Sequence, residues 1–163
     1  MTSLLRPIVH VPDQPPLGHM LLLVGRVSLG LFMIVHGLGK WNWDGFGPTD
    51  QFVGYTESLG FPLPTLFAWN ALLSEIGLSV LVLLGLFTRP AVLGLIFTMG
   101  VAAFVAHGGE AFVSGNPADS TKELPMMYIF AYLMLLGVGP GKFSGDALLS
   151  KRLAESAPAA TSK

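Results

Sequence analysis

The run Leu17–Trp43, LGHMLLLVGRVSLGLFMIVHGLGKWNW, decides how the rest of the chain has to fold. Its 22 residues from Leu17 to Leu38 make a helix about 33 Å long at roughly 1.5 Å per residue, enough to cross a bilayer core of about 30 Å. Yet Arg26 lies within the run, His36 lies near its end, and Lys40, Trp41 and Trp43 follow at once. A cation inside a hydrocarbon-spanning helix costs on the order of 3 kcal/mol or more, so Arg26 needs a partner that the remaining spans must supply.

Composition agrees with that reading. Of 163 residues, 52% are hydrophobic and only 12% charged, and the mean hydropathy of +0.62 exceeds what a soluble domain needs for its core. The expectation is an integral membrane protein of one domain. A net charge of −1 points to no nucleic-acid partner. The chain has no cysteine, which excludes disulfide frameworks, thiolate metal sites and dithiol redox chemistry on this chain. The first sixteen residues are polar and proline-rich, and the run behind them ends in Lys-Trp rather than at a small-residue cleavage site. It therefore reads as a retained first span and not as a cleavable signal.

Outward from that run, residues 1–16 form a short N-terminal tail and residues 39–63 a polar connection, within which Phe52–Leu59 suits a short interfacial helix. Further spans are expected at about 64–87, 90–107 and 124–138, with a second polar loop at 108–123. Proline opens the second and third spans, where a helix start tolerates it, and Gly139-Pro140-Gly141 stops the fourth. The membrane domain thus covers 17–149, followed by a flexible tail at 150–163. Four helices joined by such connections favour an all-α, up-down four-helix bundle, because lipid accepts only backbones that satisfy themselves. Placing both termini on one side collects Arg6, Arg89, Lys142, Lys151, Arg152 and Lys163 there, against Lys40 and Lys122 opposite. That bias puts both termini in the cytoplasm and the two long, acidic loops outside.

Polar residues within the spans are the candidate site. Counted from the cytoplasmic ends, Arg26 and Glu75 lie roughly 13 and 18 Å deep at about 1.5 Å per residue, so an ion pair between them is the expected solution. Such a pair either fixes the bundle or also handles protons or a ligand. His36 and His107, from different spans, reach the outer interface with Lys40, Glu110 and Trp41 near them. Two histidines and a carboxylate are compatible with a metal, but the spacing does not demand one, and no metal is assigned. The same groups suit a polar pocket for a quinone head group, or simply histidines bonded to loop backbone at helix ends. The tryptophans read as interfacial belt residues. No P-loop, dinucleotide fingerprint, nucleophile elbow or H-E-x-x-H is present.

In order along the chain stand Gly25-Arg26, Leu29-Gly30, His36-Gly37 with Lys40, and Ser58-Leu59-Gly60-Phe61-Pro62. Glu75, Leu84-Gly85-Leu86-Phe87-Thr88-Arg89, His107, and Gly139-Pro140-Gly141-Lys142-Phe143-Ser144 with Asp146 follow. In these features the chain resembles the DoxX family of small membrane proteins, over about Leu22–Leu149. The resemblance implies a four-helix domain in a bacterial inner membrane. It also implies a subunit of a redox-linked, quinone- or quinol-associated complex with other membrane or redox proteins as partners. Gly145, where the family position is apolar, and the long 108–123 segment depart from the pattern and leave the substrate open. Alternatives of other classes are a non-catalytic accessory subunit and a small-molecule or lipid transporter. With no haem, flavin or iron–sulfur motif on the chain, a partner has to carry the electrons.

Overall fold

Proline, glycine and short polar caps punctuate the helices of this chain, whose computed structural model describes residues 8–116 and 118–156. Helix α1 (Pro16–Leu38) opens with proline at its first turn, where the missing N–H is no loss. Helix α2 (Asp50–Ser58) is short and capped by Thr49, whose side chain accepts the Phe52 N–H at 3.2 Å. Helix α3 (Pro64–Leu84) again starts with proline and ends at Gly85, which takes the left-handed conformation (φ +65°). Helix α4 (Thr88–Ala106) follows after a turn of only a few residues. Helix α5 (Glu123–Val138) stops at Gly139 (φ +83°) before Pro140. Helix α6 (Gly145–Glu155) is capped by Ser144, which accepts the Ala147 N–H at 3.1 Å. It carries the chain past Leu149 as helix. Residues 1–7 and 157–163, with Arg6 and Lys163, lie outside the described residues.

Among the described residues there is no strand beyond one isolated bridge, between Trp41 and Pro48. Helix α1 packs along α3, α3 along α4 and α4 along α5, and α5 closes the bundle against α1. The core they share includes Met33, Val82, Val92, Leu95, Met99 and Tyr132. Large apolar side chains such as Phe32, Phe97 and Met134 cover the outside. A soluble protein would aggregate through that surface; a bilayer solvates it. Helices α1, α3 and α4 are long and apolar enough to cross a membrane, and α5 is a shorter apolar helix. The molecule is a helical membrane bundle.

Two glycines set the register of α1 on α3. A methyl group at Gly30 would stand 2.9 Å from Leu83 Cβ, and one at Gly37 would stand 2.8 Å from Ile76 Cγ1 and 3.1 Å from Glu75 Cβ. The backbones therefore touch at these levels, as small residues permit in lipid. Glu75 faces Gly37, whereas the Arg26 guanidinium faces the Gly85 turn beyond the end of α3. The expected Arg26–Glu75 ion pair is consequently not formed. Comparable depths counted from helix ends would bring the two within reach only if α1 and α3 ended flush, and their glycine contacts slide them past one another.

Arg26 belongs instead to a knot at the end of the bundle that carries α6. Its Nη2 donates to the Phe143 carbonyl at 2.7 Å, and Asp146 is the opposite charge acting on it. The buried Asp146 carboxylate accepts the N–H groups of Phe87 and Thr88 at 2.7 and 2.9 Å, while its own N–H donates to the Gly85 carbonyl at 2.8 Å. Phe87 sits in the left-handed region (φ +46°), which costs a residue with a side chain roughly 1–2 kcal/mol, and the carboxylate on its N–H helps hold it there. Val9 is buried, and the His10 carbonyl accepts a bond from Arg89 at 2.8 Å, tying the segment before α1 to the start of α4.

Candidate functional site

At the other end of the bundle two helices abandon the α pitch. Ser74–Leu78 of α3 and Ala102–Ala106 of α4 are both π-helical. Such segments put an extra residue into a turn, cost regular hydrogen bonding and recur where a protein needs an unusual side-chain direction. The first contains Glu75. The second delivers His107, whose N–H donates to the Ala102 carbonyl at 2.9 Å.

Both segments line one cavity of about 1340 Å³. It lies between the ends of α1, α3, α4 and α5, beneath α2. Lys40, just past α1, turns back into it, and its Nζ bonds both carboxylate oxygens of Glu75 at 2.5 and 2.7 Å. The Glu75 side chain is only 3% exposed. Lys40 also lies over the Phe52 ring of α2, 5.0 Å from its centroid. Lys40 thus supplies the opposite charge and the hydrogen bonds that a carboxylate buried in an apolar bundle requires. Beside the pair, Ser74 and Thr98 share a 2.6 Å hydrogen bond that fastens α3 to α4.

Of the residues nominated from sequence, His36, Lys40, Glu75, His107 and Glu110 all line this cavity. His107 Nδ1 lies 2.7 Å from Glu110 Oε2 and 3.2 Å from Ser120 Oγ, at the mouth. Arg26 and Trp41 are not brought to it. Trp41 packs edge-on against Phe46 and Trp69 at ring separations of 5.3 and 6.1 Å, which pins the connection after α1 to α3. Among the described residues no group of three or more His, Asp or Glu side chains is arranged to hold a metal ion.

Sequence reasoning missed several members. Tyr128 of α5 lines the cavity and stacks on the fully buried Tyr132 at 5.8 Å. Ser79 Oγ and Tyr132 Oη are both buried and interact with each other across α3 and α5. Tyr55 of α2 reaches across to donate to the Ala106 carbonyl at 3.3 Å. A tyrosine in the fourth span was the available signal for Tyr128. Ser74 and Thr98 looked like any small polar residue of a membrane helix.

The DoxX family model matches residues 21–108, a stretch that holds most of α1 and all of α2 to α4, and with them Lys40, Glu75 and His107. The chain belongs to the DoxX family. Inner membrane protein YphA of Escherichia coli (strain K12) is 37% identical over 131 residues, 77% of this chain and 88% of that protein. Inner membrane protein YqjF of the same organism is 31% identical over 137 residues, 80% and 92% of the two chains. An uncharacterized membrane protein of Mycobacterium tuberculosis is 33% identical over 136 residues, 78% and 80%. No solved structure matches the chain. This DoxX-family chain is thus a multi-pass inner-membrane protein. Tyr128 and Asp146 fall outside the stretch that the family model matches, so the match leaves out one wall of the cavity and the Phe143–Asp146 half of the knot at the opposite end.

Proposed function

We propose that this DoxX-family protein is the membrane subunit of a redox-linked complex and binds a quinone head group in the cavity above Lys40 and Glu75. The observation that carries this reading is the ion pair itself, set at the floor of a large, mostly apolar cavity. A quinone presents carbonyl oxygens on a flat ring, and Lys40, His36 and the Tyr128 hydroxyl are donors suited to such oxygens. Reduction takes up a proton for each electron. Glu75 is the group that can pass a proton at the ring, and Lys40 holds the carboxylate in position through both of its oxygens. His107 and Glu110 at the mouth are placed to exchange protons with water. Electrons would come from or go to a partner protein. The basic residues near the chain termini favour a cytoplasmic location for that end, with the cavity opening on the outer face.

Gentle extraction from the native membrane followed by native mass spectrometry tests the reading. The expected result is a retained mass equal to a quinone, lost in Glu75→Gln although the variant still assembles with its partners. A second reading, an accessory subunit without ligand, is favoured by the way Lys40–Glu75 ties the exit of α1 to α3. Under it, the chain is bare of quinone and Glu75→Gln weakens only assembly or stability.

A further inference from the structure

Below the cavity mouth, α3 and α4 are fastened at two levels. Ser74 bonds Thr98, and one turn deeper Leu78 presses on Gly94, where an added methyl would collide with its Cδ1. Above Ser74 the arrangement changes. The outer part of α3, Pro64–Leu73, packs on α2 rather than on α4. Helix α2 reaches α4 through the Tyr55 hydroxyl on Ala106. The π-helical segment of α4, Ala102–Ala106, lies on this outer side of Thr98, whereas that of α3, Ser74–Leu78, runs inward from Ser74. The two helices thus part while α2 roofs the gap.

The walls of that gap are apolar and open to lipid. Leu73 on α3 is 60% exposed and Phe97 on α4 is 74% exposed, yet both line the cavity that holds Glu75. The exposed apolar residues Val35 and Phe32 of α1 and Met127 of α5, by contrast, are not part of the lining. The cavity therefore has a lateral opening on the α3–α4 side. A polar floor reached through an apolar slot fits an amphiphile with a compact hydrogen-bonding head and a long apolar tail. It fits a water-soluble solute poorly, because such a solute gains nothing from the slot.

We propose that the ligand enters sideways from the loop-side half of the bilayer, between α3 and α4, and leaves its tail lying between Leu73 and Phe97. This rests on the reading of the cavity as a quinone site and adds to it the direction of entry and the need for a long tail. The Ser74–Thr98 bond forms the lower sill of the opening and the Tyr55–Ala106 bond its lintel.

The chain's lack of cysteine makes a direct test available. Single-cysteine variants Leu73→Cys and Phe97→Cys are blocked with a bulky membrane-soluble maleimide in nanodiscs. Met134→Cys, equally lipid-facing but off the cavity, serves as the control. Binding of a long-chain quinone and of a short-chain, water-soluble analogue is then compared. Blocking at 73 or 97 should weaken the long-chain quinone at least about tenfold and leave the analogue within about twofold, while blocking at 134 changes neither. If both quinones bind the unblocked protein and neither block alters the long-chain affinity, the lateral opening is refuted and the head-group reading stands. If neither quinone binds the unblocked protein, both fall. Equal loss of both quinones on blocking would also overturn the proposal, since it would mean that the block closes the head-group site and not the tail slot.

Discussion

Lys40 and Glu75 show how one buried residue can depend on another as its partner. With 3% of its side chain exposed, Glu75 would be an uncompensated buried anion without the ammonium beside it. Breaking a buried pair from one side costs roughly 3–5 kcal/mol, far more than removing both partners. Lys40→Met should therefore lower stability by about 3 kcal/mol in a denaturant melt of the detergent-solubilised protein. Adding Glu75→Gln to it should recover most of that loss. A double variant no more stable than Lys40→Met would show that Lys40 acts through its packing on Phe52 instead of through its charge. Arg26 carries a different burden. Its Nε and Nη1 are buried without partners while Nη2 holds Phe143, so its main bond is to backbone rather than to a carboxylate. No depth count along the sequence distinguishes these two cations, because the slide of α1 on α3 decides which carboxylate each one meets.

At the level of elements, the sequence is most informative where apolar length and breakers act together. The helices begin and end within three residues of the runs 17–38, 64–87, 90–107 and 124–138, because Pro16, Pro64, Gly85 and Gly139 stop or start them for local reasons. The π segments were not legible. Ser-Glu-Ile-Gly-Leu and Ala-Ala-Phe-Val-Ala carry no proline and no unusual periodicity, and their pitch follows from packing against neighbours that sequence alone does not position. The role of Asp146 was equally hidden. It lies in α6, yet it caps α4 by accepting the Phe87 and Thr88 N–H groups across 58 or more residues of chain. Asp146→Ala should leave those buried donors unpaired and cost about 1–3 kcal/mol. The loss should appear as a lowered melting temperature and as faster amide exchange at Phe87 and Thr88, with exchange in α2 unchanged. Slowed or unaltered exchange at these amides would mean that water or another acceptor already replaces the carboxylate.

For the molecule as a whole, the two ends of the bundle do different things. One end is knotted by Arg26, Asp146, Phe143 and the Gly85 turn; the other is hollow and π-helical and holds the Lys40–Glu75 pair. Orientation decides which compartment each end meets. With the termini in the cytoplasm, Ser114→Cys in the loop after α4 should react with a membrane-impermeant maleimide on intact spheroplasts, and Lys151→Cys in α6 only after lysis. The reverse pattern would invert the topology and put the cavity mouth in the cytoplasm. Neither result changes the fold, whose helices need only the bilayer.

The aromatic clasp at the cavity end has a spectroscopic consequence. All three tryptophans of the chain, Trp41, Trp43 and Trp69, belong to that end, and none lies near the Asp146 knot. Indole emission is thus a built-in, one-ended thermometer. Heated in detergent, the protein should change its tryptophan fluorescence before its helical circular dichroism, since the cavity lies at the end that holds the indoles. Coincident transitions would mean instead that the two ends melt as one unit.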